Sequence, residues 1–152
     1  FFAVNAMRIE KGYRHWGHDI GIEDTPIEAG LKFAVAMDKG DFIGRAALAR
    51  QLEGKALTKR LVQFRLLEDD GVLLHHDEPI WMDNAIAGSI TSGAYGHRLK
   101  ASFGMGYLNH PDGVTVELLK NARFEIEVAC RKYAAVAQLG PWFDPKGDRL
   151  KG

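Results

Sequence analysis

The sequence predicts a mainly β fold, a small antiparallel barrel or sandwich preceded by a short mixed α/β segment. Three observations support this. From Thr58 onward, apolar residues recur at every second position, the period of a half-buried strand. Turn-forming pairs cut that stretch into about six or seven short runs. Before it the period lengthens toward helical spacing and is broken by glycines.

Taken in order, "FFAVNAMRIE" places Phe1, Phe2, Val4, Met7 and Ile9 at roughly helical spacing and predicts a helix over 1–10. After Gly12, "GYRHWGHDIGIED" reads as a glycine-flanked loop. "TPIE" at 25–28 has a capping residue in Thr25, a proline suited to the first helical position and Glu28 to close a capping box, so a short helix starts there. "LKFAVA" reads as a strand with Leu31, Phe33 and Val35 on one face, and Asp41 opens a second helix that Gly54 stops. "RLVQFRLL" then sets Val62, Phe64 and Leu66 on one face. Two hairpins follow in the reading, one turning at Asp83-Asn84 and one at Lys120-Asn121, with "ASFGMGYL" alternating through Phe103, Met105 and Tyr107 between them. "YAAVAQL" completes the strands, and "GPWFDPKGDRLKG" reads as a polar tail.

Bulk properties narrow the function classes. The 152 residues are 46% apolar and 26% charged, enough for a real core. Twenty basic residues balance twenty acidic ones, so no basic excess is present to grip nucleic acid or an anionic membrane. Cys130 is the single cysteine, which excludes an internal disulfide framework and fits a reducing compartment. No apolar run reaches the roughly 20 residues of a transmembrane helix. Because an uncapped helix opens on two phenylalanines, the chain reads as the C-terminal piece of a longer protein.

Each candidate for chemistry has a structural alternative. His15 and His18 with Asp19 fall short of the three or four ligands of a zinc site, so hydrogen-bonded loop histidines are expected there. "HHDE" at 75–78 reads as a solvated loop, and no metal is expected at any of these four histidines. Ser92 and His97 do not sit in a nucleophile elbow, and Ser92 is expected to bond the backbone at a strand end. Cys130 is expected to be a buried, inert thiol. "GMG" and "SGAYG" lack the span of a phosphate cradle and mark bulges or close backbone approach. In the loop, Tyr13 and Trp16 offer flat faces, and Glu10, Arg14, His15 and Asp19 offer directional polar groups. That combination suits a flat heteroaromatic ligand. It equally suits a structural turn in which Trp16 plugs the core and the charges pair, and on residues alone the structural reading is favoured.

The order of the pieces adds a resemblance. "RIEKGYRHWGHDIGIEDTPIEAGLKFAVAMDKGDFIGRAAL", a strand, "PIWMDNAIAGSITSGAYGHRLKASFGMGYL" and "PWFDPKGDRLKG" together resemble the C-terminal part of the folate-binding module shared by the glycine cleavage T-protein and the dimethylglycine and sarcosine dehydrogenases. "EKGYRHWGHDI" and the closing "DPKGDRLKG" are similar to the flavin-dependent dehydrogenase versions. Trp16 stands where the T-protein generally has a tyrosine close to the folate. Val4-Asn5 stands where the T-protein has an Arg-Asp pair whose arginine is associated with folate, so that contact does not carry over.

The resemblance implies a T-protein C-terminal β-barrel over 58–152, preceded over 1–57 by the end of the folate-binding lobe and connecting helices. It implies a parent enzyme that oxidises an N-methyl amine such as dimethylglycine or sarcosine, with FAD accepting a hydride and tetrahydrofolate trapping the iminium as 5,10-methylenetetrahydrofolate. FAD would belong to an upstream part, since no G-x-G-x-x-G unit occurs here. The aspartate the family places near the reactive folate nitrogen would also lie upstream. No catalytic residue is therefore expected in this chain, which alone should be inactive. The folate-lining candidates are Trp16, Tyr95, His97 and Phe143. The implied partners are folate and a small amine, with neither nucleic acid nor membrane, in the cytoplasm of a bacterium or the mitochondrial matrix of a eukaryote. A stand-alone aminomethyltransferase and a non-catalytic regulatory subunit of the pyruvate dehydrogenase phosphatase type are the alternatives.

Overall fold

A computed structural model describes residues 1–54, 56–68 and 71–151. Among these, six strands close into an antiparallel barrel in the order β1-β4-β3-β2-β5-β6. They are β1 (Lys59–Leu66), β2 (Pro79–Met82), β3 (Ala85–Gly96), β4 (Ala101–Asn109), β5 (Phe124–Val128) and β6 (Arg131–Gln138). The helices are α1 (Phe2–Lys11), α2 (Arg45–Glu53), α3 (Val116–Asn121) and the short α4 (Asp148–Lys151). None is long and apolar enough to cross a membrane.

The period-two pattern works as the sequence implied. Val62, Phe64 and Leu66 of β1 enter the barrel core with Ile80, Ile90, Leu108, Phe124 and Ile126. The Phe64 and Phe124 rings meet nearly edge-on, centroids 5.7 Å apart. On β4 the alternation has two apolar sides. Phe103 and Met105 face away from the barrel core and form a second cluster with Ile9 of α1, Leu61 and Ala101. Gly104 and Gly106 take the other parity, where a Cβ would press on Leu74, Ile80 and Ile90. The expected close backbone approach at the glycines is therefore present. Gly93, paired with Gly104 across the β3–β4 ladder, leaves room for the main chain of Leu74. Leu74, fully buried although it belongs to no strand, plugs the barrel through that gap. The expected irregularity in β3 is a register shift between Ile90 and Ser92.

Several expectations are corrected. "VTVELL" is not a strand, and no hairpin turns at Lys120-Asn121. Thr115 accepts the Leu118 N–H at 3.1 Å and starts α3, which buries Leu119 against the barrel. Six residues of alternation do not separate a strand from a short helix, and the N-cap decides. The hairpin turn lies instead at Ala129-Cys130, both at positive φ (48° and 64°), between β5 and β6. Cys130 is consequently exposed, not buried. The hairpin at Asp83-Asn84 forms as expected, with φ of 48° and 72°.

Before the barrel, "LKFAVA" makes one 3-10 turn, Lys32–Ala34, with Phe33 exposed, because no strand lies alongside to pair with it. The capping box at 25–28 forms, Thr25 Oγ1 accepting the Glu28 N–H at 3.2 Å and Glu28 accepting the Thr25 N–H at 3.0 Å. The chain then makes turns rather than a helix, ending at Gly30, whose φ is +70°. The second helix begins at Arg45, not Asp41, and ends at Gly54 as expected. The polar tail is docked: Trp142 packs near Phe103, and Lys11 Nζ bonds Asp144 Oδ2 at 2.9 Å.

Candidate functional site

Helix α1 is turned with Ala6, Ile9 and Glu10 buried, leaving Phe1, Phe2, Val4 and Met7 exposed. It ends at Gly12, whose φ of 74° is a left-handed cap that glycine adopts without Cβ strain. The loop "YRHWGHDI" then folds back over the outer face of β3 and β4.

Asp19 fixes that return. Its side chain is fully buried and accepts from Arg8 Nη1, from Thr91 Oγ1 at 2.6 Å and from the His15 main-chain N–H at 2.9 Å. Arg8 also donates to Ser92 Oγ at 2.8 Å, to Asn5 Oδ1 at 2.7 Å and to the Tyr13 carbonyl at 3.3 Å. Ser92 thus serves a side chain in mid-strand, not the backbone at a strand end, and forms no nucleophile dyad. The Tyr107 hydroxyl donates to the Asp19 carbonyl at 3.1 Å. Burial, with Asp24, Glu28 and Asp19 nearby, pushes that phenol well above its ordinary value, so it stays a donor. Glu10, also buried, accepts the main-chain N–H groups of Arg98 and Leu99 at 3.0 and 3.2 Å. Glu10 and Asp19 are therefore spent on the fold and are not offered to a ligand.

Arg14 is similarly engaged, donating to the carbonyls of Ala29 (2.9 Å) and Gly12 (2.5 Å). Burial holds its guanidinium below the usual arginine value, with Asp19 and Tyr107 opposing. At the loop's far end, Asp24 accepts from Lys59 Nζ and the Gly21 N–H, both at 2.7 Å. Burial opposes ionisation of Asp24, but Lys59 and Gly21 outweigh it and hold the carboxyl below its usual range. A depressed folded value means this contribution is present above the unfolded value, about 3.9, and is lost as pH falls through the folded one. Thermal melts from pH 7 to pH 3 should show a shallower acid limb for Asp24→Asn than for the unaltered chain. An equally steep limb would refute the assignment.

Between α1, this loop and the 75–76 segment lies a cleft of about 590 Å³. Phe1, Phe2, Val4 and Asn5 line one side, Tyr13, His15 and His18 another, and His75, His76 and Thr91 to Gly93 the remainder, with Arg8 and Arg14 between. Its volume suits a small organic ligand. His75 and His76 are exposed as the sequence implied, yet they face a cleft that the sequence did not reveal. Among the described residues, no group of three or more His, Cys, Asp or Glu is placed to hold a metal ion.

The four folate candidates fall outside this lining. Tyr95 and His97 meet edge-on, centroids 5.2 Å apart. Phe143 lies between the guanidiniums of Arg98 and Arg149, 5.0 and 5.4 Å from its ring centre. Trp16 is 67% exposed on the loop between His15 and His18, so it is not a core plug. Sequence reasoning missed the roles of Arg8 and Thr91, since only the fold brings them to Asp19.

Fold and cleft define a small β-barrel module with a ligand-sized recess on its outside, beside α1. Residues 59–144 match the glycine cleavage T-protein C-terminal barrel domain, and residues 1–39 match the GCVT N-terminal domain. The chain belongs to the glycine cleavage T-protein C-terminal barrel family. It is 40% identical over 153 residues to 4-methylaminobutanoate oxidase (formaldehyde-forming) of Paenarthrobacter nicotinovorans, covering 100% of this chain and 18% of that protein. It is 34% identical over 153 residues to human mitochondrial sarcosine dehydrogenase, covering 99% of this chain and 16% of that protein. The chain thus spans less than a fifth of the length of these relatives. The crystal structure of glycine cleavage system aminomethyltransferase T from Bartonella henselae shares the fold, with a TM-score of 0.75 and 23% identity over 94% of this chain and 38% of that one.

Proposed function

We propose that this chain is the C-terminal module of a larger FAD-linked N-methyl amine dehydrogenase of the dimethylglycine and sarcosine type, and that it supplies one wall of a tetrahydrofolate site. The observation that carries the reading is the ligand-sized cleft of about 590 Å³ beside α1, walled by Phe2 and Tyr13 within a chain of this family. Val4 and Asn5 line it too, without the arginine that the family associates with folate. Alignment of almost the whole of this chain with 18% of an amine oxidase and 16% of a sarcosine dehydrogenase supports the parent reaction. The division falls near residue 57, with the end of the folate lobe before it and the barrel after it. The compartment would follow the host, matrix in a eukaryote and cytoplasm in a bacterium.

The residues present suit such a ligand. Phe2 and Tyr13 on the cleft, and Trp16 on the adjoining loop, offer flat apolar faces to a pterin or aminobenzoyl ring. Tetrahydrofolate, when bound, would accept the one-carbon unit released by amine oxidation. This chain's part is to hold the ring, limit water and keep the labile one-carbon unit enclosed. Tyr95, His97 and Phe143, outside the cleft lining, would meet the far end of an extended ligand. By itself the chain then neither binds flavin nor oxidises an amine.

The test replaces Trp16 by leucine in the full-length protein, keeping bulk and removing the π-face. Stacked rings are worth roughly 1–3 kcal/mol, so folate affinity should fall about tenfold, while flavin reduction by the amine and thermal stability stay near normal. Unchanged affinity would remove Trp16 from the site. Absence of folate binding in the unaltered protein would sink the whole reading and favour a regulatory module.

A further inference from the structure

Five buried side-chain polar atoms lack a hydrogen-bond partner among the described residues, and three of them lie together at the segment that follows β6. They are Gln63 Nε2, Arg65 Nε and Trp142 Nε1, all N–H donors. Gln63 and Arg65 stand two apart on β1, so they share its outer face, opposite Val62, Phe64 and Leu66 of the barrel core. The segment crosses above them. Arg65 Cζ lies 5.4 Å from the centre of the Trp142 ring, and a Cβ at Gly12 would strike Gln63 Nε2 and sit 3.1 Å from Pro141 Cβ. Donors closed off from water without an acceptor each cost free energy, and opening returns it because water can then accept.

The attachments that oppose opening are few. Among the described residues the segment has one main-chain hydrogen bond to the rest of the fold, from the Phe143 N–H to the Glu10 carbonyl at 3.2 Å. β6 ends at Gln138, so no strand ladder extends into it. Lys11 Nζ donates to the Asp144 carbonyl and, at 2.9 Å, to its carboxylate. Trp142 packs on the outer cluster of Ile9, Leu61, Phe103 and Met105, and Phe143 rests between Arg98 and Arg149.

The polar attachments converge on the end of α1. They are the Glu10 carbonyl and the Lys11 ammonium, with Pro141 set against Gly12. Gly12 is the left-handed cap at which the helix becomes the cleft loop, with Tyr13, Arg14 and His15 on the lining. A segment docked here holds the joint on which that loop turns.

We infer that residues 140–149 form a releasable strap, which lifts while the barrel stays closed and, when docked, clamps the Gly12 joint between α1 and the cleft loop. Lifting hydrates the three donors, uncovers Phe103 and frees the loop to shift. The strap invokes no ligand, so it stands or falls apart from the folate reading.

Native-state hydrogen exchange on the 152-residue chain tests it. The Phe143 N–H, and the Tyr13 N–H that donates to the Arg8 carbonyl at 2.8 Å, should exchange at least about a hundredfold faster than the most protected amides of β1 and β4. Their opening should depend little on urea, because it exposes little surface. Gln63→Met removes one stranded donor at nearly constant volume, and both amides should then exchange about tenfold more slowly. A side chain that merely packs would give no slowing. Asp144→Asn removes the charge that Lys11 meets, and asparagine tolerates the φ of 46° found there, so both amides should exchange faster. Exchange of Phe143 only at the barrel's rate, no slowing in Gln63→Met, or a Tyr13 N–H indifferent to Asp144→Asn would overturn the inference. The first comparison uses the unaltered chain, so a variant that fails to fold does not obscure the result.

Discussion

Asp19→Ala is expected to destabilise the chain by about 3–5 kcal/mol, read as a shift in the urea midpoint with unchanged slope. Removing the carboxylate leaves the Arg8 guanidinium, whose side chain is only 14% exposed, without its counter-charge. It also strands the His15 N–H, which now donates to Asp19, and leaves the Thr91 hydroxyl only the Met105 carbonyl, 3.1 Å away. The pair's net worth is smaller than that cost, because ionising both partners in the interior is itself expensive. The double variant Arg8→Met/Asp19→Leu should therefore recover much of the loss. If the double variant is as unstable as the sum of the two single ones, the charges do not act as a coupled pair, and the loop is held by its apolar contacts and remaining hydrogen bonds.

Leu74→Ala is expected to cost about 2–5 kcal/mol, the range for emptying a fully buried leucine site. The position makes this informative. Leu74 lies in a connection between β1 and β2, where a leucine ordinarily contributes little, and its neighbour Leu73 is exposed. Leu73→Ala should change stability by less than about 0.5 kcal/mol. A similar loss for both would mean the segment contributes through its backbone rather than by plugging the barrel. Gly93→Ala should be destabilising for the complementary reason, since its new methyl would strike the Leu74 main chain.

Both effects were only half legible in the sequence. Gly93 and Gly104 announced close backbone approach, because glycine inside a strand pattern has few other reasons to be there. Nothing nearby in sequence named Leu74 as the group that approaches. In the same way, charge pairing within "MRIEKGYRHWGHDI" was one of two readings, and the fold chose it for Asp19 and Arg8 while leaving the imidazoles free to face a cleft. Trp16 went the other way: the reading that buried it failed, because the loop turns on Gly17 (φ 87°) with the indole outward.

Local rules held where the outcome depends on near neighbours alone. The strands of the barrel follow from period-two patterning, the Asp83-Asn84 turn from residues that tolerate positive φ, and the end of α2 from Gly54. They failed where two local answers were close in energy. "VTVELL" alternates like a strand, yet the Thr115 cap and burial of Leu119 make it α3. "LKFAVA" has strand propensity but no partner edge, so it makes a single turn.

By itself, then, the sequence determined the barrel's six strands and the Asp83-Asn84 turn, which are written in the spacing of near neighbours, while the order of its motifs carried the resemblance to the family. The tertiary structure alone decided that β4 is apolar on both faces, that Asp19 is a buried tie and that four histidines share one cleft. Each of those joins residues separated by tens of positions, and a contact of that kind exists only after barrel closure has brought the loops onto one outer face.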